Sequence, residues 1–290
     1  MTSRLDGSLR ETLGRDHPEW RSWLGLLEAI RSEIDDAGDA AAVPESPAGS
    51  GDAPLIDGAS FQISGRAIDR RLRTLLTVAA EAGASASLAR AARRPLLDAA
   101  AVLEAAIAAD RARLAALADG ADGEAFASVA AVAAMPLLQA CARRWSSRVS
   151  PDWPHGYCPI CGAWPALAEA RGLERERRLR CTRCGGDWRT AWLRCPFCGN
   201  HDHGKLGALV ADATGETRRA ETCAACRRYV KTVAVLSATP SAEVAIQDLA
   251  TVDLDVSALA NGYQASLGLG HAVRVTVTAR ARWGGLAWRR

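Results

Sequence analysis

Eight of the nine cysteines fall between Cys158 and Cys226, as four Cys-x-x-Cys pairs: 158/161, 181/184, 195/198 and 223/226. A two-residue gap lets both sulfurs of a pair turn toward one ion, while the intervening amides hydrogen-bond back to sulfur. Each pair is therefore half of a tetrahedral four-sulfur site. The spacing predicts two four-thiolate metal centres built from Cys158, Cys161, Cys181, Cys184, Cys195, Cys198, Cys223 and Cys226. Such closed sites leave no open position for water or substrate, which argues against metal-assisted hydrolysis. Four thiolates suit zinc or a single iron alike, and spacing does not separate the two.

The cysteine block is an internal repeat. Cys158-Pro-Ile-Cys-Gly162 is echoed by Cys195-Pro-Phe-Cys-Gly199, and each is followed by a hairpin-like stretch and a plainer pair, Cys181-Thr-Arg-Cys184 or Cys223-Ala-Ala-Cys226. Inside the units the gaps are 19 and 24 residues, and only ten residues separate Cys184 from Cys195. This favours 158/161 with 181/184 and 195/198 with 223/226; crossed pairings stay open. The glycine after each Cys-Pro-x-Cys fits the positive φ that closes a knuckle under a metal. The remaining candidates have plainer readings. His155, His201 and His203 flank the knuckles but eight thiolates already complete two sites, and His17 and His271 look incidental. Cys141 reads as a small buried hydrophobe. Trp164, Trp188, Trp192 and Phe197 could shield a site from water, but core filling accounts for them.

Around these ligands the chain reads as α+β: a helical domain over 1–150, two small β-rich, metal-stapled modules of zinc-ribbon spacing over 151–194 and 195–240, and a C-terminal helix, strand and basic tail over 241–290. Asp16 and Pro18 signal a helix start, with Trp20, Trp23, Leu24, Leu27, Ile30 and Ile34 along one face. Residues 36–60, rich in Ala, Gly, Asp, Pro and Ser, read as a loop or flexible linker. Ile68, Leu72, Leu75, Leu76 and Ala79 mark a second helix, Pro95 opens another that stops at Gly120, and a last one runs from about Glu124 to Val149 with a kink or split at Pro136. Strand-like runs then alternate with the knuckles: 166–170, 177–180, 188–193, 206–210, 218–222 and 229–236. Modules this small bury too little apolar surface to fold alone, so metal would supply the missing free energy. Ala242–Gly262 reads as helical, His271–Ala281 as a strand, and Trp283–Arg290 as a basic tail.

Met1–Trp20 has mixed charges and no apolar run, so neither a signal nor a transit peptide is expected. The least charged run, Glu124–Arg143, is mostly alanine and resembles a packed bundle helix, so no membrane span is expected. A cytoplasmic location follows, where thiols stay reduced and paired cysteines favour metal over disulfide. The net charge of +3 divides unevenly: residues 1–140 carry 14 basic and 20 acidic side chains, and 141–290 carry 22 and 13. Two four-thiolate sites around divalent ions would subtract four charges from the basic half, so its excess is partly a counter-charge. The run Arg171–Arg194 holds eight arginines. With lysine nearly absent and no aromatic–basic ladder, it reads as a solvated hairpin near thiolates rather than a nucleic-acid face. A zinc-ribbon nucleic-acid-binding protein and a small iron electron carrier stand as alternatives to a non-catalytic binding protein.

Two successive Cys-Pro-x-Cys-Gly units, each closed by a second pair, with Asp187-Trp188 soon after the second knuckle, resemble the formate dehydrogenase accessory protein family, FdhE. The helical first half agrees, as does Asp248-Leu-Ala-Thr-Val-Asp-Leu-Asp255 leading to Gly262-Tyr-Gln264. The resemblance implies two rubredoxin-like modules, each binding one iron through the cysteines above. It further implies a non-enzymatic assembly factor that binds the catalytic subunit of formate dehydrogenase in the cytoplasm. The composition of 36–60 and the Arg/Trp-rich end after Gly270 depart from the family pattern.

Overall fold

The computed structural model describes residues 4–34, 37–96, 98–210 and 217–280. Among the described residues the first half packs nine α-helices: α1 (Arg4–Asp16), α2 (Arg21–Arg31), α3 (Ala37–Ala42), α4 (Gly65–Glu81), α5 (Ala86–Ala92), α6 (Ala99–Ile107), α7 (Arg111–Ala116), α8 (Gly123–Ala133) and α9 (Met135–Trp145). Short polar side chains start them. Ser64, Asp98, Asp110 and Asp122 each accept a hydrogen bond from a backbone N–H of the first turn that has no partner inside the helix. The helix expected to run from Pro95 to Gly120 is two, because Ala109 takes φ 52° and Asp110 caps a fresh helix. The last predicted helix divides between α8 and α9, where Pro136 occupies the first turn of α9.

The faces read from the sequence line one core. Ile30 of α2, Ile68, Leu72, Leu75 and Leu76 of α4, and Leu103 and Ile107 of α6 are all at most 1% exposed. Residues 123–148 are long and apolar enough to cross a membrane, but 83% of their most apolar window is buried against the rest of the chain. Among the helices, Arg71 and Cys141 also reach into this core. Arg71 of α4 is buried and satisfied by Asp39 (2.5 Å) and Glu33 (2.8 Å). Cys141 of α9 is fully buried, and burial pushes its thiol up, as for an inert packed residue.

Residues 37–60 are no free linker. Composition concealed this: α3 forms at their start, and the rest is pinned by backbone groups. Arg144 and the Trp145 indole donate to the carbonyls of Val43 and Pro44. Leu55 and Ile56 donate backbone N–H groups to Pro159 and Ile160, inside the first cysteine knuckle. The segment ends in β1 (Ser60–Ile63), which pairs in parallel with β8 (Thr276–Ala279) in register Ser60↔Thr276. The end of the described chain thus returns to the helical half, and Glu104 of α6 accepts the Val277 N–H. The predicted basic tail Trp283–Arg290 lies outside the described residues.

Between α9 and α10 the described residues form six strands: β2 (Leu167–Arg171), β3 (Glu176–Arg180), β4 (Asp187–Arg189), β5 (Leu206–Val210), β6 (Arg218–Cys223) and β7 (Arg228–Val235). The two zinc-ribbon-like modules contribute three each to a single sheet of order β4-β3-β2-β7-β6-β5. Within a module neighbours are antiparallel; at the junction β2 and β7 run parallel, from Leu167↔Lys231 to Arg171↔Val235. The modules therefore follow one another head to tail. Two helices, α10 (Val244–Leu249) and α11 (Val252–Ala260), complete the α+β architecture, with Leu254 and Ala258 of α11 packed on Ala220 and Tyr229.

Candidate metal centres

Each centre is made by two knuckles, one ahead of a module's first strand and one at the end of its second. In the first, Gly162 donates its N–H to the Cys158 carbonyl and the Cys158 N–H donates to Ala163; Gly185 and Gly186 close the Cys181 knuckle the same way. Gly162 (φ 77°) leaves no room for a side chain, since a Cβ would lie 2.6 Å from the His271 carbonyl oxygen. The third knuckle repeats this with Gly199. The fourth does not. Arg227 stands where the others have glycine, at φ 57°, and its N–H donates to the Cys223 carbonyl.

Arg227 is a residue the sequence reading missed. Its guanidinium donates to the carbonyls of Asn261 and Gly262 (both 3.0 Å), its carbon lies 4.4 Å from the Tyr263 ring centre, and its carbonyl accepts the Gln264 N–H. Those contacts hold a left-handed backbone that is costly for a side-chain-bearing residue. The Gly262-Tyr-Gln264 segment was the available signal.

The eight predicted cysteines come together as two quartets, Cys158/Cys161/Cys181/Cys184 and Cys195/Cys198/Cys223/Cys226, each with its four sulfurs within 4.8 Å of one another. Sulfur–sulfur distances are 3.5 Å for Cys158–Cys184 and Cys161–Cys181, 3.7 Å for Cys195–Cys226 and 3.8 Å for Cys198–Cys223. A metal–sulfur bond of about 2.3 Å in a regular tetrahedron sets the sulfurs about 3.8 Å apart, so both quartets have the size of a metal cage. They are far too open for disulfides. Burial pushes the Cys158 thiol well above its ordinary range, and it raises Cys226 to about 11. Four thiolates can share such a place only around a cation, whose charge reverses that preference.

The quartets differ in their surroundings. All four sulfur residues of the first are 0% exposed and belong to the main core, with Ile160 and Trp188. In the second, Cys195 and Cys223 are buried, Cys226 is half-buried and Cys198 is exposed. The Gly186 N–H donates to the Cys184 sulfur at 3.3 Å. No histidine enters either quartet among the described residues. His155 stacks on Tyr157 and lies 3.0 Å from Asp52, His17 stacks on Trp20, and His201 and His203 are exposed. Trp188 fills the core, whereas Trp192 is 37% exposed.

The arginine-rich hairpin is solvated only in part: Arg175, Arg189 and Arg194 are exposed, but Arg171, Arg177, Arg178 and Arg180 turn to carboxylates. Glu169, 0% exposed on β2, takes Arg180 (2.5 Å) and Arg171, and Asp187 takes Arg171 and Arg178. Arg177 reaches across the sheet to Glu221 (2.8 Å). Their guanidiniums are spent on carboxylates inside the fold, because strands bearing alternate charges face each other across the sheet. A third polar cluster lies under α10 and α11. Lys231, nearly buried, donates to Asp248 (2.6 Å) and Asp255 (2.7 Å), and the Tyr229 hydroxyl donates to Asp255 (2.7 Å). This explains the Asp248–Asp255 segment of the sequence: its acids neutralise a lysine on the central strand.

Residues 193–268 match the family model described as FdhE, C-terminal domain. That stretch is similar to FdhE. The FdhE homolog of Aquifex aeolicus (strain VF5) is 30% identical over 117 residues, 38% of this chain and 40% of that protein. The FdhE homolog of Stutzerimonas stutzeri (strain A1501) is 35% identical over 109 residues, 37% of this chain and 35% of that protein. The matched stretch thus spans well under half the length of these FdhE relatives. The crystal structure of the FdhE protein from Pseudomonas aeruginosa shares the fold along 92% of this chain and 94% of its own, with a TM-score of 0.58 at 22% identity.

Proposed function

We propose that this chain is a non-catalytic accessory protein for formate dehydrogenase, binding the catalytic subunit in the cytoplasm and assisting its maturation. Each cysteine quartet holds one ion, iron by the family resemblance, with zinc as the alternative that the same four sulfurs would accept. The observation that carries the reading is the pair of all-sulfur cages in a chain whose second half resembles FdhE. A closed four-thiolate cage would staple its module and offer no coordination position to a substrate. The ion-paired Arg177 and Arg180 weigh against a nucleic-acid partner, since a phosphate would have to displace the carboxylate that each already holds.

Anaerobic purification with metal analysis and a visible spectrum tests the cages: two ions per chain are expected, and ferric tetrathiolate is coloured whereas zinc is not. Fewer than two tightly held ions would refute it. The partner is tested separately, by binding of the purified formate dehydrogenase catalytic subunit to the metal-replete chain under reducing conditions. Absence of binding there would remove the maturation role.

A further inference from the structure

The two modules are copies, and one copy shows how an edge of the other is meant to be filled. In chain order β2, β3 and β4 of the first correspond to β5, β6 and β7 of the second. The outer edge of β2, the first strand of its module, is covered by β7 in parallel over five residue pairs. The equivalent edge, that of β5, ends the sheet, with no strand beside it among the described residues. An uncovered edge presents a row of backbone donors and acceptors ready for another strand. This edge is apolar as well, Leu-Gly-Ala-Leu-Val, with Val210 52% exposed.

Only one side of β5 is covered. Leu209 turns toward Tyr229 and the residues of α11, which occupy that side. The opposite side, carrying Leu206 and Ala208, borders a cavity of about 240 Å³ between the sheet and the segment joining the modules. Trp192 and Leu193, 37% and 55% exposed, form its outer wall, with Phe197 and Val230 deeper. Four arginines line it, Arg177, Arg194, Arg219 and Arg228, against the single carboxylate of Glu221. Two negative charges on a loaded second centre, whose Cys195 and Cys223 also line the cavity, would still leave the rim positive.

We propose that β5 is the docking edge for the client. An extended segment of the formate dehydrogenase catalytic subunit pairs in parallel with β5, as β7 does with β2, and sets alternate apolar side chains into the cavity beside it; its flanking charge is acidic. This rests on the maturation role proposed above and adds where the contact is made. A second copy fits less well. The only strand it could bring in the repeat's own geometry is β4, three residues long, against the eight of β7. The chain's own Trp283–Arg290 end is basic and would meet the arginine rim.

The test uses the full metal-replete chain and the purified catalytic subunit. Ala208→Arg adds a charge and bulk at an exposed strand position facing the cavity. Leu236→Arg alters another exposed apolar residue, one that does not line the cavity. The expected result is binding weakened at least about tenfold by Ala208→Arg and unchanged by Leu236→Arg, with amide exchange at Leu206–Val210 slowed in the wild-type complex. Wild-type binding that Ala208→Arg leaves intact, without slowed exchange, would overturn the docking edge while leaving the maturation role standing. No wild-type binding at all would overturn the role itself. Self-association that Ala208→Arg abolishes, or exchange at β5 that accelerates on deletion of 281–290, would overturn the choice of occupant.

Discussion

Two cages with the same ligands should release their ions at very different rates. The first knuckle of the buried centre is tied from outside its module: Leu55 and Ile56 donate to Pro159 and Ile160, and Gly270 and His271 both donate to Gly162. A chelator can reach those sulfurs only after the four bonds open, and at a net worth of about 1 kcal/mol each they hold back about 4 kcal/mol. That corresponds to about a thousandfold slower release, before the burial of Ile160 is counted. The hydrogen bonds that shape Cys195–Gly199 are the knuckle's own, and Cys198 already meets solvent. Mixing the two-ion protein with excess chelator and following the released metal, or the fading of tetrathiolate absorption, should give two phases of equal amplitude. Cys198→Ser should erase the fast phase and leave one slow ion in a chain whose helical half and first module stay folded, whereas Cys161→Ser should unfold the first module. A single phase, or loss of both ions in Cys198→Ser, would refute the reasoning from burial.

Arg180→Ala should cost about 1–3 kcal/mol in a denaturant titration, because the fully buried Glu169 loses one of its two arginine partners and keeps Arg171; Arg180→Met paired with Glu169→Met should recover most of it. Gly162→Ala should destabilise by about 1–3 kcal/mol through its positive φ and the crowding against His271, read as a lower thermal midpoint. Asp187 links stability to pH. Burial favours its neutral form, but hydrogen bonds from Arg171 and Arg178 outweigh this and hold its carboxyl below the usual range. A folded-state value below the unfolded one, about 3.9, means its stabilisation is complete above that pH and drains away as pH falls through the folded value. The stability gap between wild type and Asp187→Asn should therefore shrink on acidification from pH 5 toward 3; a constant gap would exclude the linkage.

What the sequence disclosed followed from local rules. Two-residue cysteine spacing, glycine after a knuckle and the periodicity of Ile68, Leu72, Leu75 and Leu76 each concern a few neighbouring residues, and the structure carries them at those positions. What stayed hidden was long-range. Residues 37–60 look featureless because backbone groups hold them, and a carbonyl is the same on every residue. Strand β1 is four residues long and exists because β8 arrives from more than two hundred residues away. Arg71 sits in an apolar row, and Asp39, Glu33 and the Ala133 carbonyl make that place tolerable. Over residues 9–16, α1 buries Leu13 alone, which left no apolar period to read.

The same distinction bears on why the cages are unequal. Ligand spacing is a property of each module, and the repeat made both quartets alike. Burial is a property of position in the chain: the first module follows α9 directly and is wrapped by 37–60 and by the returning C-terminal segment, while the second extends the sheet outward to β5. The helical half therefore has a defined mechanical task. It encloses the first centre so completely that module and bundle form one core, and the second module is left standing on that base with its edge, cavity and Cys198 open to solvent. If metal binding served only to fold the chain, there would be no physical reason to keep the second cage exposed, since enclosure would have stabilised it too. An exposed cage beside an unfilled strand edge is instead the arrangement expected where the outer module meets a partner and the inner one anchors it.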